Sequence, residues 1–163
     1  NPSLNCAKNY SGYGWPGQVS TVFNFPAGLN LYVIVGGNGG TGTYRDNGCS
    51  DYKEGFSGYN GGIKGKNGSA GSGGASQISL TNDLYSEEFK KSGNLLISAQ
   101  GGAGYRYCST CDPTVVGGGI NYINDNSTYF VEKQSVKKPT RVGLNDHTIN
   151  DKPSKIIITY IGE

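Results

Sequence analysis

Gly37-Asn38-Gly39-Gly40-Thr41-Gly42 is the stretch whose spacing comes nearest to cofactor chemistry. It matches G-x-G-x-x-G and directly follows a predicted strand over 29–35, the place a dinucleotide fingerprint requires. The chemistry would be capture of a pyrophosphate by amides at a helix N-terminus. The residues that follow, TYRDNGCSDYKEG, start no helix, carry two more glycines and have no apolar stripe. No second strand ends in an acidic residue where the ribose would need one. Lys66 follows Gly65, but Asn67 stands where a phosphate loop needs Ser or Thr. No cofactor is expected.

Covalent and acid–base chemistry find no better footing. No serine sits in G-x-S-x-G. His147, the only histidine, lies in the polar stretch Asn145-Asp146-His147 and reads as a solvated loop residue. Glu87 and Glu88 are adjacent, so a helix would point them apart, as surface charges and not a glycosidase pair. The four cysteines are Cys6, Cys49, Cys108 and Cys111. Two disulfides would suit a secreted, loop-rich domain. A zinc site would need all four, yet only Cys108–Cys111 has ligand spacing. A redox pair would need Cys108 at a helix start, and Asp112-Pro113 disfavours helix there. Disulfides are the preferred reading, ahead of free thiols and zinc. The pairing expected is Cys108–Cys111 locally and Cys6–Cys49 across the domain. The metal expectation is none, and the chain is read as a non-enzyme.

Composition narrows the remaining classes. The 163 residues fit one domain. Charge is sparse and balanced, net +2, with scattered lysines. That argues against nucleic acid, which draws a concentrated basic patch. Lys137-Lys138 reads as a solvated loop. The apolar runs 31–35 and 156–158 fall far short of the ~20 residues of a membrane span, so no direct membrane insertion is expected. Asn1 is not an initiating Met and no signal-peptide pattern is visible, so the chain is read as a mature product or excised domain. Sequons begin at Asn9, Asn67 and Asn126.

Glycine is the anomaly: 28 residues, against about 11 at an average usage of roughly 7%. The glycines cluster beside predicted strands, in blocks at 36–42, 55–74, 101–104 and 117–119. In the longest block Gly55, Gly58 and Gly61 keep a period of three. The phase slips by one, and Gly62, Gly65, Gly68, Gly71 and Gly74 continue it. Three is neither the helix period nor the strand period. It is the period of polyproline II, with ~3.1 Å rise per residue. Glycine at every third residue leaves one edge bare, so that backbones can approach closely. Because such helices make no internal hydrogen bonds, several must lie side by side to pair their buried groups. The stretch 62–74 would span roughly 37 Å if it ran on as one rod, about the diameter of such a domain. A flexible glycine/serine linker does not explain the strict spacing, nor Tyr59 and Ile63 between the glycines.

The elements that would hold these blocks are mostly strands. Alternation over 19–25 places Val19, Thr21, Phe23 and Phe25 on one face. Pro26-Ala27-Gly28 is a turn, and 29–35 follows as a strand apolar on both faces, so a buried hairpin is expected. Strands are also read at 76–80, 95–99, 128–131 and, rich in β-branched residues, 155–161. Residues 81–92 carry acidic residues early, lysines late and Gly93 after, the pattern of one short helix.

The order Gly58-Tyr59-Asn60-Gly61-Gly62, Ser72-Gly73-Gly74-Ala75-Ser76-Gln77-Ile78, Leu95-Leu96-Ile97-Ser98-Ala99-Gln100-Gly101-Gly102 resembles the glycine-rich domain of the anaplastic lymphoma kinase and leukocyte tyrosine kinase ectodomains. It is equally similar to glycine-rich domains of bacterial surface and phage tail proteins. Phe23-Asn24-Phe25-Pro26-Ala27-Gly28 matches their opening hairpin and 155–161 their last strand. The resemblance implies an all-β fold, a TNF-like or jelly-roll β-sandwich with inserted packed polyglycine-II (PPII) helices and at most one short α-helix. It implies ligand binding, of protein cytokines in the receptors and of host surfaces in phage. The chain departs from it where the glycine run is broken, as in Ala99-Gln100-Gly101-Gly102-Ala103-Gly104.

The function expected is therefore an extracellular, non-catalytic adhesin or receptor-binding module, at a cell or virion surface, for a cell-surface protein or glycan. Tyr and Arg are enriched at binding hot spots. The candidate ligand residues are Tyr44, Arg45 and Asp46 in one loop and Tyr105, Arg106 and Tyr107 in another. Tyr10, Tyr13 and Trp15 are a second cluster suited to sugar stacking. Alternatives are a structural subunit of a virion or surface assembly, in keeping with a homo-oligomer, and a glycine-triplet ice-binding protein.

Overall fold

A computed structural model describes residues 8–10, 16–40, 42–44, 54–65, 70–102, 119–133 and 154–162. These residues form a mostly antiparallel β structure with a single five-residue helix. The strands are β1 Lys8–Tyr10, β2 Thr21–Phe23, β3 Tyr32–Ile34, β4 Gly42–Tyr44, β5 Ala75–Ser79, β6 Leu95–Gln100, β7 Asn121–Ile123 and β8 Phe130–Lys133. A four-stranded sheet has the order β3-β5-β6-β7, and β1 pairs with β4 and β2 with β8.

Register across the large sheet sorts its side chains. Ile34, Gln77, Ser98 and Tyr122 stand in one row, and Val33, Ile78, Ile97 and Ile123 in the next. Because strand side chains alternate between faces, the first row joins the core and the second forms an aliphatic stripe on the other face. The core gathers Ala75, Tyr85, Phe89 and Leu95, with Tyr122 packed against them. Helix α1, Glu87–Lys91, supplies Phe89. Ser86 caps it, accepting from the Phe89 amide at 2.9 Å, with Glu87 and Glu88 in the first turn and Lys90 and Lys91 in the last. That is the charge order a helix dipole favours. Gly93, at φ 82°, ends the helix in the left-handed region open to glycine.

Three expectations are corrected. The strands on either side of the Pro26–Gly28 turn do not form a hairpin. The turn exists, with Leu29 N donating to Pro26 O at 3.3 Å and Gly28 at φ 83°. Beyond it, however, β2 pairs with β8 and β3 with β5. Aromatic packing favours the distant partner: Phe23 stacks on Phe25 at 5.4 Å and meets Phe130 edge-on at 6.2 Å, while Phe25 meets Tyr129 at 5.5 Å. Strand β3 is not buried on both sides. It is an edge strand among the described residues, with Tyr32 and Val33 exposed. The segment 155–161 joins no ladder among the described residues, and Ile157, Ile158, Tyr160 and Ile161 are exposed. Propensity prepares a strand, but pairing needs a partner edge.

The glycine blocks meet the large sheet at one end. Residues 36–40 leave β3, 70–74 lead into β5, 101–102 leave β6, and Gly119 precedes β7. The β5–β6 ladder, ending at Ala75 opposite Gln100, runs on through Gly101 N to Gly74 O at 2.9 Å and Gly73 N to Gly102 O at 3.2 Å.

Candidate functional site

Beyond the sheet the bonding rhythm changes from two residues to three. Gly37 and Gly40 donate to the carbonyls of Tyr59 and Phe56 (3.1 and 2.8 Å), so 36–40 and 55–59 run antiparallel. Gly71 and Gly74 donate to Gly40 O and Gly37 O, both at 2.8 Å, placing 70–74 beside 36–40 as well. Gly62 and Gly65 donate to Gly58 O and Gly55 O (3.1 and 2.8 Å), and Ser72 to Ile63 O at 2.9 Å. Gly58 donates to Ser72 O at 2.9 Å, closing four segments into a bundle. The glycines at the contacts have no room for a side chain. A Cβ on Gly39, Gly58, Gly71 or Gly74 would run into backbone of a neighbouring segment.

The phase slip at Gly61–Gly62 is a reversal. Tyr59-Asn60-Gly61 is a turn in which Asn60 and Gly61 have φ of 67° and 84°. Nor is the 62–74 stretch one rod crossing the domain: 62–65 and 70–74 lie beside each other, joined through Ser72 N and Ile63 O. Asn60 pins the turn. It is 3% exposed, and its Nδ2 donates to Ala75 O at 2.6 Å and to Gln77 Oε1 at 3.1 Å. Its Oδ1 accepts from the Tyr85 amide at 2.5 Å, and buried Gln77 passes the chain on to Asp83 O at 2.7 Å. The Tyr85 hydroxyl donates to Glu87 Oε1 at 3.0 Å. Burial, and then the Glu87 carboxylate, push the Tyr85 phenol up to about 12. Burial also raises Tyr122, helped by Asp125.

What the bundle turns outward is aromatic. Phe56 and Tyr59 are 68% and 59% exposed, three residues apart and each directly after a buried glycine, Gly55 and Gly58. The Phe56 ring lies over Gly40, and Tyr59 starts against Gly37. Two bare glycines three apart thus lie against these two residues, Gly40 beneath the Phe56 ring and Gly37 against the Tyr59 backbone and Cβ. Ile63 is exposed on the next segment. Lys64 and Glu54 close an exposed ion pair at 2.8 Å. The arrangement can stack apolar or aromatic groups along a shallow shelf. Two amides of the G-x-G-x-x-G stretch, those of Gly37 and Gly40, are spent on Tyr59 and Phe56, and 36–40 leads to strand β4, not to a helix. Among the described residues no group of His, Cys, Asp or Glu could hold a metal ion, and no helix is long and apolar enough to cross a membrane.

Of the residues named from sequence, Tyr44 ends β4, with Lys8 opposite it and Gly42 opposite Tyr10. Arg45, Asp46, Tyr105, Arg106, Tyr107, Tyr13 and Trp15 lie outside the described residues, as do Cys6, Cys49, Cys108 and Cys111. The structure instead brings forward Phe56 and Tyr59, and beneath them the Asn60–Gln77–Tyr85 cluster. The signal for the first pair was present: two aromatics at the glycine period share an edge. No family model, curated protein or solved structure was found to match the chain.

Proposed function

We propose that this protein is an extracellular, non-catalytic binding module, an adhesin or receptor-binding domain for a cell-surface protein or glycan. The observation that carries this reading is the outward Phe56–Tyr59 pair on a segment whose glycines, Gly55 and Gly58, pack on backbone alone. Large rings left in water on a bonded scaffold bring contact area at little ordering cost, the property of binding anchors. In this reading the four glycine segments are polyglycine-II helices, supported by their three-residue bond repeat. They are inserted in a TNF-like or jelly-roll sandwich of the kind found in the receptor, bacterial-surface and phage-tail proteins that the sequence resembles. The test is binding of labelled protein to cells and to glycan and ectodomain arrays. Phe56→Ala with Tyr59→Ala is expected to abolish it while leaving the thermal transition in place, and unchanged binding would sink the assignment. A second reading, a subunit that assembles with its own copies, draws on the exposed Ile157, Ile158 and Ile161. Solution mass tests it, a monomer at all concentrations removing it.

A further inference from the structure

We propose that the Phe56–Tyr59 shelf takes a proline-rich peptide in the polyproline-II conformation. The inference rests on the binding-module reading above and names its ligand class. Both residues bond through their carbonyls to glycines three apart, Gly37 N to Tyr59 O and Gly40 N to Phe56 O. The two side chains therefore leave the backbone three residues of polyproline-II rise apart, about 9 Å. A ligand of the same conformation repeats its own side chains every three residues, again about 9 Å, so prolines at i and i+3 meet successive rings. A strand repeats one face at about 7 Å. An α-helix repeats at about 5.4 Å per turn and overshoots at about 11 Å after two. Neither sets one apolar group on each ring in register.

Polarity points the same way. The Gly37 and Gly40 amides and the Phe56 and Tyr59 carbonyls are already paired, so the floor offers few directed partners for the hydroxyls of a sugar. A polyproline-II ligand keeps its backbone in water and asks chiefly for aromatic faces. Beside the Phe56 end the Lys64–Glu54 ion pair is self-compensated at 2.8 Å, which suits an uncharged ligand.

The experiment is fluorescence anisotropy of labelled decaproline titrated with the full chain, alongside a glycine/serine peptide of equal length and a chitin hexasaccharide. Saturable binding of decaproline alone is expected. Phe56→Ala and Tyr59→Ala should each weaken it by about tenfold or more, the loss typical of an anchor residue, and Tyr59→Phe by far less. The double variant Phe56→Ser, Ser57→Phe keeps an exposed ring but moves it one residue out of register, and should bind as weakly as Phe56→Ala. Should that variant lose its thermal transition, the contrast of Tyr59→Ala with Tyr59→Phe carries the test. Absence of decaproline binding, or equal binding by a folded shifted variant, overturns the proposal. If either ring is needed for cell or hexasaccharide binding while decaproline does not bind, the module reading stands and the proline reading falls. If no probe and no cell responds to either ring, both fall.

Discussion

The large sheet and the glycine bundle are continuous along the same backbone, yet they bury opposite things. In the sheet, side chains go inside. Ala75, Gln77 and Ser79 alternate into the core of β5, and Leu95 and Leu96 on β6 are wholly buried. In the glycine segments packed at its end the chain buries its backbone instead and turns its large side chains out, as at Phe56, Tyr59 and Ile63. The change occurs where the spacing of small residues passes from every second position to every third. A stretch that gives up its side chains at contacts gives up hydrophobic burial too. It must be held by hydrogen bonds and by the sheet end from which it grows.

The comparison breaks most completely at Gly74. It bonds 37, 74 and 101 together, through Gly74 N to Gly37 O at 2.8 Å and Gly101 N to Gly74 O at 2.9 Å, and an added Cβ would land on the Tyr59 carbonyl. Backbone on all sides has nowhere to yield, so Gly74→Ala is expected to cost about 4 kcal/mol or more. In a thermal melt followed by circular dichroism that is a fall of over about 10 °C. Gly93→Ala is the control. Its Cβ meets open space, and only the positive φ of 82° opposes it, a cost of about 1 kcal/mol. Equal losses at the two sites would refute the close-packed bundle.

Asn60 joins the two regions, and the next largest effect is expected there. Asn60→Ala strands the Tyr85 amide and removes a partner from Ala75 O and Gln77 Oε1, in a setting with little water to replace them. With the left-handed φ added, a loss of about 3 kcal/mol is expected by chemical denaturation. Asn60→Gly relieves the backbone term but restores no hydrogen bond, and should recover about 1 kcal/mol. Full recovery by glycine would reduce Asn60 to a turn residue and cut the proposed link to the sheet.

Tyr85 sharpens that link through pH. Its phenol is pushed from 10 up to about 12 in the folded chain, so the unfolded chain loses this proton first. The stabilisation is fully present below pH 10 and is lost as pH rises through 12. Tyr122, raised in the same direction, adds to the fall. Among the twelve tyrosines, absorbance at 295 nm should show a component titrating last, together with loss of the native fold. Tyr85→Phe should remove that component and flatten stability between pH 10 and 12.

How much of this was legible in the sequence follows from what each signal encodes. Strands β5 and β6 and helix α1 were readable because short apolar runs, a charge order and a closing glycine are local facts, although the helix begins at Glu87 and takes only the last part of the stretch 81–92. The glycine period was readable, and so was its slip, but not that the slip folds the chain back. The reversal depends on Asn60 finding Ala75, Gln77 and Tyr85, 15 to 25 residues away. The Pro26–Gly28 turn was visible, but strand pairing across it was not, because distant Tyr129 and Phe130 compete for Phe23 and Phe25. The loop residues favoured for their type, such as Arg45 and Tyr107, lie outside the described residues. Phe56 and Tyr59 were overlooked because aromatics among glycines look like core until the period places them on an outer edge.

The smallest effect tests the contrast where it began. Ile97 sits half-buried in the row Val33–Ile78–Ile97–Ile123. Ile97→Ala removes contacts with aliphatic neighbours on both sides and should cost about 1–2 kcal/mol, less than a fully buried isoleucine would. Phe56 is a larger residue, but its ring rests on one glycine and faces water. Phe56→Ala should therefore move stability by less than about 0.5 kcal/mol, as surface substitutions do. Chemical denaturation of the two variants under one condition gives the answer. If Phe56→Ala proves the costlier, the ring serves as a lid on Gly40 that holds the bundle together, and the glycine region, like the sheet, is stabilised by its side chains. If Ile97→Ala is costlier, the ring is free of structural duty and available to a ligand.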